Sequence, residues 1–149
     1  MDWLELITVS RILAGGQPTQ GALRRAISTA YYAMFHVLAN SNADLIAGPR
    51  TPANEPRWIA IYRSLRHYRA ENPLHGWPHL FSPPVQNFAL VIGGIKAERE
   101  SADYNPDVNF VQNEVVTWID SAERAIIDFN AASPQERAMV AIATLAGQR

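Results

Sequence analysis

The sequence contains no cysteine. This absence excludes disulfides, thiolate zinc sites, iron–sulfur clusters and cysteine nucleophiles, and it is typical of proteins from a reducing compartment. Long apolar runs are also missing, since no stretch approaches the roughly 18 apolar residues that a membrane-spanning helix needs. The first residues lack the basic, apolar and small-residue pattern of a signal peptide. We therefore expect a cytoplasmic protein with no membrane contact.

A strong excess of one charge is lacking as well. The chain has 13 Lys and Arg against 14 Asp and Glu, for a net charge of -1 over 149 residues. A chain of this size is typical of a single domain, here residues 1–149. Its overall field does not favour nucleic acid, so any such binding has to be local.

The densest basic segment is RWIAIYRSLRHYR, at residues 57–69. Arginines interleaved with aromatic residues suit phosphate contact combined with base stacking. This pattern makes Arg63, Arg66 and His67 candidate RNA-binding residues. A solvated helix face with rings covering the arginine stems explains the same pattern.

Nearly every apolar run has the helical period, and hardly any alternates with a period of two. We therefore predict an all-α fold, with Thr19 as the N-cap of a central second helix. Ser82 and Pro83 predict the start of the fourth helix, and SPQE at 133–136 has the form of a capping box. The predicted helices cover residues 2–14, 20–40, about 54–69, 82–104, about 107–129 and 133–146.

Three features of these helices predict how they pack. The second helix carries one broad apolar stripe, formed by Leu23, Ile27, Ala30, Tyr31, Met34 and Leu38. Gly93 and Gly94 lie inside the fourth helix at a cost of about 1 kcal/mol each, so we expect another helix backbone to approach closely there. Apolar residues nearly encircle the sixth helix, so we expect it to pack on the bundle or on a second subunit.

Arg99 interrupts the apolar stripe of the fourth helix. Positions 85, 88, 92, 95, 99 and 102 share one face, and the other five are apolar. An unpaired buried guanidinium costs several kcal/mol, so Arg99 needs partners. Asp103 follows one turn later, but a single pair of this kind contributes only about 0.3–0.5 kcal/mol.

The second helix is the candidate source of further partners. Arg25, Thr29, Tyr32 and His36 are spaced by four, three and four residues, so they form one strip beside the apolar stripe. His36 lies among apolar residues, a setting that also suits a histidine with a purely structural hydrogen bond. The tyrosines likewise suit core positions with a satisfied hydroxyl.

Three segments together resemble the HEPN superfamily, in the branch marked by Arg, three residues, then Asp-Tyr. They are LRRAISTAYYAMFHVLA, WIAIYRSLRHYRA and IKAERESADYNP, and the likeness covers about residues 20–130. It implies an antiparallel bundle of four main helices with short additional helices at both ends, usually dimeric, with the arginine motif near the dimer cleft. Many relatives are metal-independent ribonucleases or RNA-binding proteins of toxin–antitoxin and other defence systems. A minimal nucleotidyltransferase is often their partner and antitoxin.

The sequence departs from the ribonuclease pattern of that superfamily. In that pattern an arginine is followed, after four to six residues, by a histidine, whereas here Tyr104 follows Arg99 after four residues. Metal-free cleavage needs a base for the 2′-hydroxyl proton and a cation for the phosphorane, and free tyrosine, with a pKa of about 10, is a poor base. Arg69 with His75, or His36 acting from the second helix, are alternative sources of the base.

No other chemistry is indicated by the sequence. His75 and His79 have a ligand spacing, but Gly76 and Pro78 disfavour a helix there, so we expect no metal site. Phosphate loops, dinucleotide-binding glycines and nucleophile elbows are absent, and we expect no cofactor.

Two hypotheses remain. In the first, the protein is an RNA-binding domain, with endoribonuclease activity as the stronger form: Arg99 contacts phosphate, Asp103 orients it, and Tyr104 or His36 contacts the nucleotide. Arg25 and Tyr32 extend the binding surface. In the second, Arg99 is structural, and the protein is a non-catalytic interaction module that forms a homodimer or binds a nucleotidyltransferase-type partner.

Overall fold

The computed structural model describes residues 1–70 and 78–146. Within these ranges the chain forms six α-helices, two short 3-10 helices and no strand, which confirms the all-α prediction. None of these helices is both long enough and apolar enough to cross a lipid bilayer. The α-helices are α1 (Leu4–Ala14), α2 (Gln20–Ala47), α3 (Glu55–Tyr62), α4 (Pro83–Tyr104), α5 (Gln112–Asn130) and α6 (Pro134–Leu145), and the 3-10 helices are His67–Arg69 and Pro78–Leu80.

Helix α2 is the centre of the fold, as the sequence predicted. It packs against each of the other five α-helices, and its predicted apolar stripe is buried throughout. Thr19 caps it by accepting a hydrogen bond from the amide of Ala22, at 3.1 Å. The helix continues to Ala47 instead of ending near residue 40. Tertiary contact explains the extra turns, because Asn42 is buried against α6 and donates to the Thr144 hydroxyl, at 3.0 Å.

Two further predicted helix limits were wrong, and packing against other segments explains both. Helix α3 ends at Tyr62 instead of Arg69, and the turn that follows carries Leu65 and Ala70 into the core. Helix α5 begins at Gln112 instead of near residue 107, because the side chain of Gln20 pairs with both backbone groups of Phe110, at 2.8 Å each. That pairing keeps the preceding segment out of helical conformation.

Helix α4 presents its predicted stripe to the core: Val85, Phe88, Ile92, Ile95 and Ala102 are all buried. Its N-terminus is capped across the fold, since the amide of Ser82 donates to Glu136 Oε1, at 2.5 Å. The predicted capping box of α6 is therefore only half formed. The Ser133 hydroxyl accepts from the Glu136 amide, but the Glu136 carboxylate is used on α4.

Helix α6 packs on the bundle by one face and leaves the other exposed. Val140, Ala141 and Thr144 are buried on α2, while Met139 and Ile142 are 46% and 64% exposed. Packing on the bundle is thus what the described residues show, and a second subunit on the exposed face stays a prediction.

Gly94 in α4 accommodates a side chain and not, as predicted, the backbone of another helix. A Cβ atom at this position would lie 2.5 Å from Trp118 Cη2 on α5. Such a separation is far shorter than van der Waals contact, so the glycine is required by the indole ring.

Replacing Gly94 with alanine is expected to destabilise the fold. Overpacking against Trp118 typically costs about 1–3 kcal/mol, which exceeds the gain of about 1 kcal/mol from the better helix propensity of alanine. Urea unfolding of Gly94→Ala measures the difference. In a Trp118→Leu background the clash is removed, so the same substitution should stabilise; a destabilisation of equal size in both backgrounds would contradict this explanation.

Candidate functional site

Arg99 lies on α4 against the two tyrosines of α2. Its guanidinium carbon is 5.1 Å from the ring centroid of Tyr31 and 5.9 Å from that of Tyr32. The side chain is only 11% exposed. Cation–π contact of this kind is stronger when the cation is desolvated, so the aromatic pair provides partners that the sequence required.

Asp103 connects Arg99 to α2 through a hydroxyl group. Arg99 Nη1 donates to Asp103 Oδ2 at 3.4 Å, and the Ser28 hydroxyl donates to Asp103 Oδ1 at 2.5 Å. The predicted pair with Asp103 is therefore present but long. Arg99 Nε is buried and has no hydrogen-bond partner among the described residues, so this group keeps a free donor.

His67 contacts the same tyrosine through the hydroxyl group of that tyrosine. Its Nδ1 is 2.6 Å from the Tyr31 hydroxyl, and its ring stacks on Phe35 with centroids 4.2 Å apart. The pKa of His67 is lowered, first by partial burial and then by the charges of Arg99 and Lys96. The imidazole is consequently neutral at neutral pH.

Tyr31 therefore joins an arginine and a histidine that are 32 residues apart in sequence. The sequence suggested Tyr104 or His36 as the group that accompanies Arg99, with Arg69 and His75 as an alternative pair, and it placed His67 only on a basic surface. His67 was predicted to be helical, whereas the turn after α3 brings it to α2. His75 lies outside the described residues, and Arg69 donates to the backbone carbonyl of Ala146.

Tyr104 lies at the C-terminal end of α4 and lines a different cavity from His67. Its side chain is 76% exposed at the end of α4. It lines a broad groove of about 720 Å³ with Arg24, Asp103 and Asp107. Tyr104 is thus available for contact from solvent.

His36 belongs with His67 to an aromatic layer of rings in mutual contact. The layer consists of Tyr31, Tyr32, Phe35, His36, Tyr62 and His67. Its Nδ1 is hydrogen-bonded to the Tyr62 hydroxyl, and its ring stacks on Trp3 with centroids 4.3 Å apart. Burial lowers the pKa of His36, with a smaller contribution from His67, and burial raises the pKa of Tyr62 to about 12. Both groups are therefore neutral at neutral pH, and His36 has the hydrogen bond of a structural histidine.

The predicted RNA-binding residues separate into two sets. Arg63, Arg66 and His67 line one groove of about 390 Å³ whose other residues include Phe35 and Tyr68. Tyr32 is half-buried beneath Arg99, with its ring 6.2 Å from that of His67. Arg25 is exposed on α2, on the face that the sequence indicated.

Arg24, next to the predicted Arg25, is the arginine that organises the end of α4. Its guanidinium donates to backbone carbonyls of five residues, with distances of 2.9 Å to Ala102 and Asn105 and 2.5 Å to Val108. It also lies over the ring of Phe110, at 5.4 Å. This one side chain fixes the segment that carries Asp103.

Arg24 belongs to a second strip of residues on α2, and the spacing of that strip is visible in the sequence. Arg24, Ser28, Tyr31 and Phe35 have the same spacing of four, three and four residues as the predicted strip, one residue earlier. Both strips are compatible with one helix face pointing towards α4, and neither periodicity nor residue type selects between them. No cluster of three or more His, Cys, Asp or Glu suited to a metal occurs within residues 1–70 and 78–146.

Replacing Arg24 with alanine should destabilise the fold more than replacing Arg25. Five carbonyl acceptors, three of them in part-buried hydrogen bonds, lose a charged donor in Arg24→Ala, and such losses cost about 1–3 kcal/mol. Arg25→Ala removes an exposed side chain, with an expected change within about 0.5 kcal/mol. Urea unfolding of the two variants tests the assignment, and equal effects would contradict it.

Stability should decrease on mild acidification. In the unfolded chain both histidines titrate near the ordinary pKa of about 6.5, and in the folded protein their pKa values are lower. As the pH falls through that value, the unfolded state binds more protons, so the free energy of unfolding falls until the folded-state pKa values are passed.

Urea unfolding at neutral pH and at about pH 5 measures this loss. The double variant His36→Gln/His67→Gln should lose less stability between the two pH values than the unmodified protein, because the two imidazoles whose pKa is lowered by folding are then missing. An unchanged loss in the double variant would assign the acid sensitivity to other groups and overturn the prediction.

Comparison of the chain with protein-family models, with curated proteins and with solved structures finds no match. The HEPN relationship accordingly rests on the residues quoted above and stays a prediction. The function has to be argued from the chemistry of the site.

Proposed function

We propose that the protein is a HEPN-type RNA-binding domain that cleaves RNA at the Arg99–His67 site without a metal ion. The observation that carries this proposal is that a cation and a neutral imidazole both contact Tyr31: Arg99 lies over its ring, and His67 is hydrogen-bonded to its hydroxyl. Metal-free cleavage needs both groups, a base for the 2′-hydroxyl and a positive charge for the phosphorane.

His67 is the proposed base. With Nδ1–H donating to the Tyr31 oxygen, Nε2 carries the lone pair that accepts the 2′-hydroxyl proton. The 2′-oxygen then attacks the adjacent phosphorus, and the bond from phosphorus to the 5′-oxygen breaks. The products are a 2′,3′-cyclic phosphate and a 5′-hydroxyl that takes its proton from solvent. The lowered pKa of His67 keeps the base neutral at neutral pH.

Arg99 acts in this proposal mainly through its charge. It is largely buried, so it lies beneath the bound phosphate and stabilises negative charge across a medium from which water is partly excluded. Asp103 orients it, and Ser28 holds Asp103. Tyr104, exposed beyond the site, contacts the strand without serving as the base. His36 supports the aromatic layer.

The groove beside His67 is the proposed path of the strand. Arg63 and Arg66 provide phosphate contacts there, and the exposed ring of Tyr68 provides a surface for base stacking. Binding through such contacts depends on salt, because each neutralised phosphate releases counterions.

One observation favours the non-catalytic alternative. Arg99 is only 11% exposed and contacts Tyr31, Tyr32 and Asp103, as a structural arginine would. In that case the helical domain acts by association, as a homodimer or with a nucleotidyltransferase-type partner. The two proposals differ in what happens when His67 alone is changed.

Cleavage of a single-stranded RNA in the presence of a chelator is the decisive measurement. We expect His67→Gln to lower the cleavage rate by about 10²–10⁴-fold, as loss of a general base does, while the thermal melting curve is retained. His79→Gln, at an exposed position, is the matched control and should leave the rate unchanged.

Arg99→Gln tests the second half of the site in the same assay. Loss of cleavage with unchanged melting and unchanged size in solution supports a catalytic charge. Absence of metal-free cleavage in the unmodified protein, or unfolding or dissociation of Arg99→Gln, supports the non-catalytic alternative instead.

A further inference from the structure

A second pocket adjoins the proposed RNA groove. It has a volume of about 500 Å³ and is lined by Trp3 from the N-terminal segment, Asn40 and Asp44 of α2, and Trp58 of α3. Tyr62 and Arg63 line both this pocket and the groove beside His67. A strand bound in the groove can therefore place one nucleotide in the pocket.

Asp44 supplies an oriented carboxylate in this pocket. Its Oδ1 accepts from Trp58 Nε1 at 2.7 Å, and its Oδ2 accepts from Asn40 Nδ2 at 2.9 Å. Neither donor is charged, and no ion pair of Asp44 is found among the described residues. Since a carboxylate oxygen can accept more than one hydrogen bond, both oxygens keep acceptor capacity for a ligand.

Trp3 supplies a donor that has no acceptor. Its ring is held by stacking on His36, while its Nε1 is buried and lacks a hydrogen-bond partner in the described part of the chain. A buried N–H without an acceptor costs about as much as a lost hydrogen bond, so such a group calls for an explanation. A ligand atom that accepts a hydrogen bond would satisfy it.

We infer that this pocket binds a guanine base. Along one edge guanine carries two adjacent donors, N1–H and the N2 amine, which match the two oxygens of Asp44. The neighbouring O6 is an acceptor and matches Trp3 Nε1. Trp3 and Tyr62 line the pocket and are partly exposed, and stacking of a planar base is favourable on any aromatic side chain.

The other bases fit this donor and acceptor arrangement less well. Adenine and cytosine each place a ring acceptor beside their single exocyclic amine, and that acceptor would face a carboxylate oxygen. In uracil the N–H lies between two carbonyl oxygens, and a carboxylate repels those oxygens. The chemistry of Asp44 therefore selects guanine.

Arg63 connects the pocket to the proposed cleavage site. It is exposed and lines both cavities, so it is placed to contact the phosphate of the bound nucleotide. In this form the inference rests on the proposed function and adds a base preference to it. The same pocket chemistry also suits a free guanosine monophosphate, and the experiment separates the two sources.

Calorimetric titration of the full chain with guanosine, inosine and adenosine monophosphates is the first measurement. Guanosine monophosphate should bind at least about tenfold more tightly than the other two, since inosine lacks the N2 amine and adenosine lacks N1–H. Asp44→Asn should weaken guanosine monophosphate by about tenfold or more and reduce the preference. Asp128→Asn, at an exposed site on α5, is the control for the lost charge and should leave binding unchanged.

Trp3→Phe provides a second variant that keeps a ring beside His36 and removes the indole N–H together with part of the ring area. It should weaken guanosine monophosphate binding while the protein stays folded at the temperature of the titration. Equal binding of the guanosine and adenosine nucleotides, or unchanged affinity in both Asp44→Asn and Trp3→Phe, would overturn the inference.

Two short RNAs, one containing a single guanine and one without guanine, distinguish the sources of the base. Tighter binding of the first RNA, lost in Asp44→Asn, supports a base pocket for the strand. Binding of the free nucleotide without preference between the RNAs overturns the strand assignment and leaves a mononucleotide site. His67→Gln should retain the preference for guanosine monophosphate, because His67 does not line the Asp44 pocket, so failure of the cleavage proposal is distinguishable from failure of the pocket.

Discussion

The contact between Arg99 and the buried ring of Tyr31 is the interaction on which the candidate site depends. Tyr31 has no exposed surface, and its position at the centre of α2 leaves its ring beneath the guanidinium and its hydroxyl on His67. An arginine on an apolar stripe is costly unless it is paired. The aromatic pair and Asp103 offset that cost and at the same time hold two chemically active groups together.

Side chains from other helices hold both ends of α4 in place. Glu136 of α6 accepts the amide of Ser82 at its N-terminus, and Arg24 of α2 donates to the carbonyls at its C-terminus. The unpaired N–H groups at a helix N-terminus favour a negative charge, and the unpaired carbonyl groups at its C-terminus favour a positive one. The position of Arg99 relative to α2 is therefore determined by long-range polar contacts as well as by the apolar stripe.

Aromatic rings surround both His36 and His67. Rings of this layer and its neighbours line the groove beside His67 and the pocket at Asp44. Stacking runs from Trp58 through Tyr62 and His36, and Phe35 stacks on His67. Burial among these rings lowers the pKa of both imidazoles, because the charged form loses hydration. The groove beside His67 and the pocket at Asp44 share Tyr62 and Arg63, but His67 lines only the groove and Asp44 only the pocket.

The amino-acid pattern by itself determined the helices, the central position of α2 and the placement of Arg99 on a buried stripe, because helical periodicity specifies which residues share a face. Tertiary structure decided which partners meet there. Arg24 and Arg25 differ by one position on the same helix, and only contact with α4 selects the first. His67 joins the site because the chain turns after Tyr62, and that turn depends on burying Leu65 and Ala70, which no local pattern encodes.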